Sequence, residues 1–198
     1  MDLTSIVYIG PFQTSYLELT AVFFGLLSVW FMKKERVLVF PFGIINVLIY
    51  VYICFDTKLY AYASINIFYF IMSVYGWYNW TRKDADDKRI KISQCSRTEM
   101  IFNTLAIVLF FFLIRFVLKE YTDSRLPDWD AFTTSVYIIA QWLLSRKKIE
   151  NWLLWILGDV ISIGLFASQN LYFSSLQYLV FTIIAVLGFL EWRIKLIK

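Results

Sequence analysis

Trp155 and Asp159 stand four residues apart in a stretch that is otherwise apolar, NWLLWILGDVISIGLF. On a helix, positions i and i+4 share a face, so an indole and a carboxyl group project together, with Trp152 one turn earlier on nearly the same side. An aromatic plate beside an acceptor, both surrounded by aliphatic side chains, suits the holding of a flat polar molecule rather than bond making. The other residue types agree. There is no histidine, so neither a metal site nor a His-based catalytic group is expected. Cys54 and Cys95 lie outside any metal-ligand spacing, and nothing supports a disulfide between them. Paired carboxylates on adjacent turns and a nucleophile–base spacing are missing too. No metal or cofactor is expected, and no residue pattern here speaks for an enzyme.

A carboxyl group in an apolar run needs an unusual setting, and composition supplies one. Hydrophobic residues are 60% of the 198 and charged residues 17%, against about 25% charged in soluble domains; the mean hydropathy is +0.62. The apolar runs have the length of membrane helices, not of the short alternating strands of a barrel, so the fold class is all-α integral membrane. Seven transmembrane helices are predicted, at about 16–32, 37–55, 59–80, 100–117, 131–145, 151–168 and 171–194. Pro41 falls in the first turns of the second, where a missing N–H costs least. The N-terminal MDLTSIVYIGPF lacks the basic region and cleavage site of a secretory signal and is expected to remain. TRKDADDKRIKISQCSRTE is a polar loop, in which Asp84, Asp86, Asp87 and their basic neighbours read as solvated.

Displacing the chain by 112 residues lays Trp30 on Trp142, Tyr60 on Tyr172, Gly76 on Gly188 and Trp80 on Trp192, with KKER on SRKK and no gap across three spans. The halves therefore read as a duplication. The division expected is 1–15 as an N-terminal segment, 16–80 as the first three-helix repeat, 81–99 as a cytoplasmic loop, 100–130 as a linker helix and outer loop, and 131–198 as the second repeat and tail. Three is an odd number, so one helix must return the chain before the second triplet can run like the first. The result is a 3+1+3 parallel-repeat arrangement, and in transporters so built the substrate site lies near the midplane at the repeat interface. Every Lys and Arg except Lys58, Arg115, Lys119 and Arg125 falls after span one, three or five or in the tail. The positive-inside rule then puts the N-terminus outside and the C-terminus in the cytoplasm. The formal charge of +4 is explained by this topology and calls for no nucleic acid.

The segments AQWLLSRKKIENWLLWILGDVISIGLF, LYFSSLQYLVFTIIAVLGFLEW and FPFGIINVLIYVYICFDTKLYAYASINIFYFIMSVYGWYNW closely resemble the bacterial PnuC vitamin transporters, over about residues 19–192. The resemblance implies a fold similar to the SWEET proteins and a place in the bacterial inner membrane. It also implies uptake of nicotinamide riboside by facilitated diffusion, the riboside being trapped by a cytoplasmic kinase. Relatives carry thiamine, and the motifs do not separate the two. A homo-oligomer, a trimer, is compatible with the resemblance.

Polar groups inside the hydrocarbon usually face a cavity or another helix. Here they are Asn46, Ser64, Asn66, Arg115, Gln141, Asp159, Ser162 and Gln177. A ribosylated pyridinium wants an aromatic face, worth about 0.5–2 kcal/mol, amide donors and acceptors for its hydroxyls and carboxamide, and a counter-charge. The substrate-binding set expected is Trp155, Trp152 and Tyr69 for the ring, Asn46, Asn66 and Gln141 for the polar groups, and Asp159 for the charge. Tyr178 joins them as the repeat equivalent of Asn66, while Asn46 is equivalent to Gly158. Asn46 and Asn66 suit interhelical hydrogen bonding equally well, and Trp152 is divided between site and membrane interface. Trp77, Trp80, Trp129 and Trp192, near helix ends, are expected in the interfacial belt, and Arg115 is expected to snorkel outward.

Overall fold

Ser15 marks where the chain passes from strand to helix. β1 (Ile6–Ile9) and β2 (Phe12–Ser15) pair antiparallel, with Ile6 opposite Ser15 and Ile9 opposite Phe12. The Ser15 hydroxyl then accepts the Glu18 N–H at 3.1 Å and caps α1 (Tyr16–Lys33). The all-α expectation holds for the seven helices, and this short strand pair before them, from two runs rich in β-branched and aromatic residues, is an addition to it. The computed structural model describes residues 6–9, 12–56, 60–83, 89–169 and 172–197. Lys58, Lys88, Lys198 and the cluster Asp84, Asp86 and Asp87 lie outside the described residues.

Six helices follow: α2 (Val39–Asp56), α3 (Tyr60–Thr81), α4 (Arg97–Tyr121), α5 (Pro127–Ser145), α6 (Asn151–Ser168) and α7 (Tyr172–Ile197). Four helices, α1, α2, α4 and α6, are long and apolar enough to cross a membrane. With 22, 19 and 26 residues, α3, α5 and α7 have the length as well, but Tyr, Ser, Thr and Asn side chains lower their hydropathy. The protein is a multi-pass membrane protein. On α4, Phe102, Leu105, Leu109 and Phe112 are each more than half exposed, as fits a helix facing lipid. At its far end Arg115 and Lys119 pair with Asp128 rather than with Asp159. The Arg115 guanidinium, followed by the Lys119 ammonium, holds the Asp128 carboxyl below its ordinary range.

Two compact units divide the chain at residues 89 and 90. In the first, α2 packs against α1 and α3; in the second, α6 packs against α5 and α7, and α4 lies on α5. The 112-residue offset holds in atomic detail within each. Glu35 (φ 58°) and Lys147 (φ 53°) are the two non-glycine residues of positive φ among the described residues, and they are repeat equivalents. After α1, Glu35 N–H donates to Met32 O and Arg36 N–H to Phe31 O, both at 2.9 Å; after α5, Lys147 N–H donates to Leu144 O and Lys148 N–H to Leu143 O, both at 2.9 Å. Each turn closes the preceding helix through a left-handed residue.

The aromatic core repeats likewise. Phe40 meets Trp80 edge-on at 5.1 Å and 89°, and their equivalents Trp152 and Trp192 meet at 5.5 Å and 89°. Trp80 and Trp192 are 1% and 0% exposed, so their expected place in the interfacial belt is corrected. Each closes a helix–helix contact because its partner lies one helix away on the same level, which position along a single helix does not reveal. Trp77 and Trp129, 41% and 53% exposed, remain on the surface.

The α5–α6 turn also carries a strap. Ser93 N–H donates to Lys147 O at 3.1 Å and Ile149 N–H to Ser93 O at 3.0 Å, while Lys147 Nζ donates to Ile90 O at 3.1 Å. Glu99, which forms a capping box with Ser96 at the start of α4, binds Lys148 at 2.9 Å and Arg146 at 3.2 Å. The Ser96 N–H, then Lys148, hold the Glu99 carboxyl down at about 2. Cys95 N–H donates to Glu150 Oε1 at 2.9 Å. Burial, with Glu150 beside it, pushes the Cys95 thiol up to about 12.

Candidate functional site

Gly158 decides how α5 meets α6. A Cβ at this position would clash with Tyr137 Cε1 and come within 2.8 Å of Cζ, so the ring comes this close to the α6 backbone only because no side chain is there. From that seat the phenol reaches the two polar groups of α6. Tyr137 Oη donates to Asp159 Oδ1 at 2.9 Å and stands 3.0 Å from Ser162 Oγ. Its one proton being given to Asp159, it accepts from Ser162, and a chain runs Ser162 to Tyr137 to Asp159. The Tyr137 and Trp155 rings lie 5.3 Å apart at 31°.

Trp155 and Asp159 do share a face, and Tyr137 joins them. Asp159 is 4% exposed and Ser162 2%. Asp159 Oδ2 makes no hydrogen bond among the described residues. The Trp155 indole N–H is buried with no hydrogen-bond partner among them. An unpaired donor costs roughly 1–3 kcal/mol when buried, and a ligand acceptor would relieve that cost. Gln141, buried, lies one turn beyond Tyr137 on the same face of α5. Tyr178 stacks on Phe166 at 5.2 Å and 15°, on the α6–α7 side.

The remaining candidates make other contacts. Trp152, 0% exposed, packs over Gly188, whose Cβ would meet its ring at 2.5 Å, and against Trp192; its indole N–H too is buried and unpartnered. Asn46, Asn66 and Tyr69 belong to the first unit, and each is half-buried. Asn46 Nδ2 donates to Ala21 O at 2.7 Å, so the interhelical bond weighed for this residue is formed. Tyr69 lies beside Phe68, ring centroids 5.9 Å apart.

Residues 15–194 match the family described as nicotinamide mononucleotide transporter. The chain belongs to this family. Among family relatives it is 30% identical to nicotinamide riboside transporter PnuC of Escherichia coli (strain K12), over 92% of this chain and 87% of that one. It is 26% identical to the transporter of the same name from Neisseria mucosa, over 93% and 74%. A crystal structure of the vitamin B3 transporter PnuC matches with a TM-score of 0.70 at 26% identity, covering 90% of this chain and 80% of that one. Relatives in sequence and structure are transporters, in keeping with a site that holds rather than cuts. Sequence reasoning missed Tyr137, because a tyrosine among thirteen gives no signal until its glycine partner on the next helix is known. The signal available was the offset itself, which pairs Tyr137 with Gly25 just as it pairs Gly158 with Asn46.

Proposed function

We propose that the protein carries nicotinamide riboside across the bacterial inner membrane by facilitated diffusion. The observation that carries this reading is the Tyr137–Trp155–Asp159 cluster of the second unit, in a family whose curated relatives bear that substrate's name. The cationic pyridinium stacks on Trp155, Asp159 faces its charge, and the unpartnered indole N–H meets an acceptor. Gln141, Asn46, Asn66, Tyr69, Trp152 and Tyr178 complete the proposed set. The same chemistry disfavours the mononucleotide. Its phosphate adds about −1.5 to −2 charges beside Asp159, and the hydrogen-bond and ring partners of Tyr137 among the described residues, Asp159, Ser162 and Trp155, include no Lys or Arg. A buried charge without a partner is costly.

Seven spans in a 3+1+3 parallel repeat, with α4 as the returning helix, belong to this reading. The matched turns and ring pairs of the two units support it. The distribution of Lys and Arg supports an outer N-terminus and a cytoplasmic C-terminus. Asp159 is the one acidic residue deep in a span, so no ion gradient drives uptake, and a cytoplasmic kinase traps the product. Association into a homo-oligomer is part of the same proposal.

Purified protein in liposomes tests the reading. Labelled nicotinamide riboside is expected to equilibrate across the membrane without a gradient and to be displaced by unlabelled riboside but not by its mononucleotide. Accumulation above equilibrium that an uncoupler collapses contradicts facilitated diffusion. Displacement by thiamine at lower concentration than by the riboside moves the substrate to thiamine.

A further inference from the structure

We infer that Tyr137 is a positioning residue that sets the specificity of the site for a cationic ring, by fixing the Asp159 carboxyl and the Trp155 indole relative to each other. The inference rests on the substrate reading above. Tyr137 touches both groups at once, Asp159 through its hydroxyl at 2.9 Å and Trp155 through its ring at 5.3 Å. No other residue among those described makes both contacts. Its own freedom is removed from two sides: Gly158 seats the ring, and Ser162 at 3.0 Å holds the hydroxyl. A side chain locked by packing and by a second hydrogen bond is what holds a binding constellation to sub-ångström tolerance.

The repeat shows that this arrangement is not required by the fold. The equivalents of Tyr137 and Gly158 are Gly25 and Asn46, the large and small members exchanged between helices, with Asn46 Nδ2 3.0 Å from where a Gly25 Cβ would stand. The equivalents of Trp155, Asp159 and Ser162 are Gly43, Val47 and Tyr50. One unit therefore closes the same helix pair without a phenol at the place of Tyr137, an indole at that of Trp155 or a carboxyl at that of Asp159; its phenol, Tyr50, stands instead at the place of Ser162. The second unit spends that freedom on a tyrosine that points at the acid.

Two substrates and three variants test this by calorimetry on the detergent-solubilised full chain: nicotinamide riboside, which is cationic, and its dihydro form, which carries no charge. Tyr137→Phe keeps the ring on Gly158 and Trp155 and loses only the hydroxyl. It is expected to bind the cationic riboside about tenfold to a hundredfold more weakly, the worth of a hydrogen bond to a charged group, and the uncharged form within about twofold of wild type. Asp159→Asn is expected to remove the preference for the cation, and in that background Tyr137→Phe is expected to change little, the non-additivity of two residues acting as one. A merely structural role for Tyr137 would weaken both ligands alike. Equal losses, wild-type affinity in Tyr137→Phe, or full additivity with Asp159→Asn would each overturn the inference. Failure of the wild-type protein to bind either riboside would instead sink the substrate reading.

Discussion

The helix triplets α1–α3 and α5–α7 share their turns, their left-handed residues and their edge-on ring pairs, yet differ where their first two helices touch. In the first triplet that contact is Gly25 with Asn46 and Gly43 with Ser28; in the second it is Tyr137 with Gly158, at the position of the first pair. What is common is what a three-helix unit needs in order to fold in lipid: closed helix ends and a dense aromatic seam between its second and third helices. What differs is polar chemistry, gathered on α5 and α6. A duplicated frame lets one copy keep close backbone packing where the other brings a phenol, an indole and a carboxyl together.

The largest effect expected from this difference is at the glycines. Gly158→Ala drives a Cβ into the Tyr137 ring, which is clamped by Asp159 and Ser162, and overpacking of this kind costs about 1–3 kcal/mol. Riboside binding should vanish and the melting temperature should fall. Gly25→Ala meets the end of the Asn46 side chain at 3.0 Å, where a shift of a few tenths of an ångström that keeps the bond to Ala21 O suffices, so both readouts should change far less than in Gly158→Ala. Equal damage from the two would mean that the triplets are not specialised.

Next come the groups themselves. Asp159→Ala and Trp155→Ala are each expected to abolish measurable riboside binding in calorimetry while the protein still unfolds cooperatively on heating. Wild-type affinity in either removes that residue from the site. Trp152→Phe is subtler, because it copies Phe40 of the first triplet. The edge-on contact with Trp192 should survive, the lost indole atoms over Gly188 leaving a cavity that lowers the melting temperature, while loss of the unpartnered indole N–H weakens binding several-fold. Unchanged binding would assign Trp152 to packing alone.

The helix spans were legible because long apolar runs interrupted by Lys and Arg have few other solutions in a bilayer, and α6 begins and ends where the sequence predicts. The face shared by Trp155 and Asp159 was legible for the same reason, as a matter of helical period. The hairpin was not read, since IVYI next to an apolar helix looks like part of its approach. Trp80 and Trp192 were misread because being near a helix end says nothing about which neighbour covers a ring. Tyr137 escaped because its role depends on an empty place on another helix, and period along one helix carries no information about that.

The smallest effect should come from acid, and it bears on the strap alone. Glu99, half-buried, has its carboxyl held at about 2 in the folded protein by the Ser96 N–H and then by Lys148, against an ordinary 4.5. A depressed carboxyl contributes stability that is fully present above about pH 4.5 and fades as pH falls toward 2. Glu99→Gln removes that contribution, so the gap in melting temperature between wild type and variant should be constant from pH 7 to 5 and close below it. Cys95 reports the same event locally. Its thiol, raised to about 12 by burial first and then by Glu150, should react slowly with a maleimide at pH 8 in a Cys54→Ser background. Glu99→Gln should speed that reaction, because the strap that shields Cys95 has lost its ion pairs to Arg146 and Lys148. If labelling is equally slow in both proteins, the backbone bonds of Ser93 to Lys147 and Ile149 suffice to hold the strap, and the Glu99 carboxylate merely caps α4.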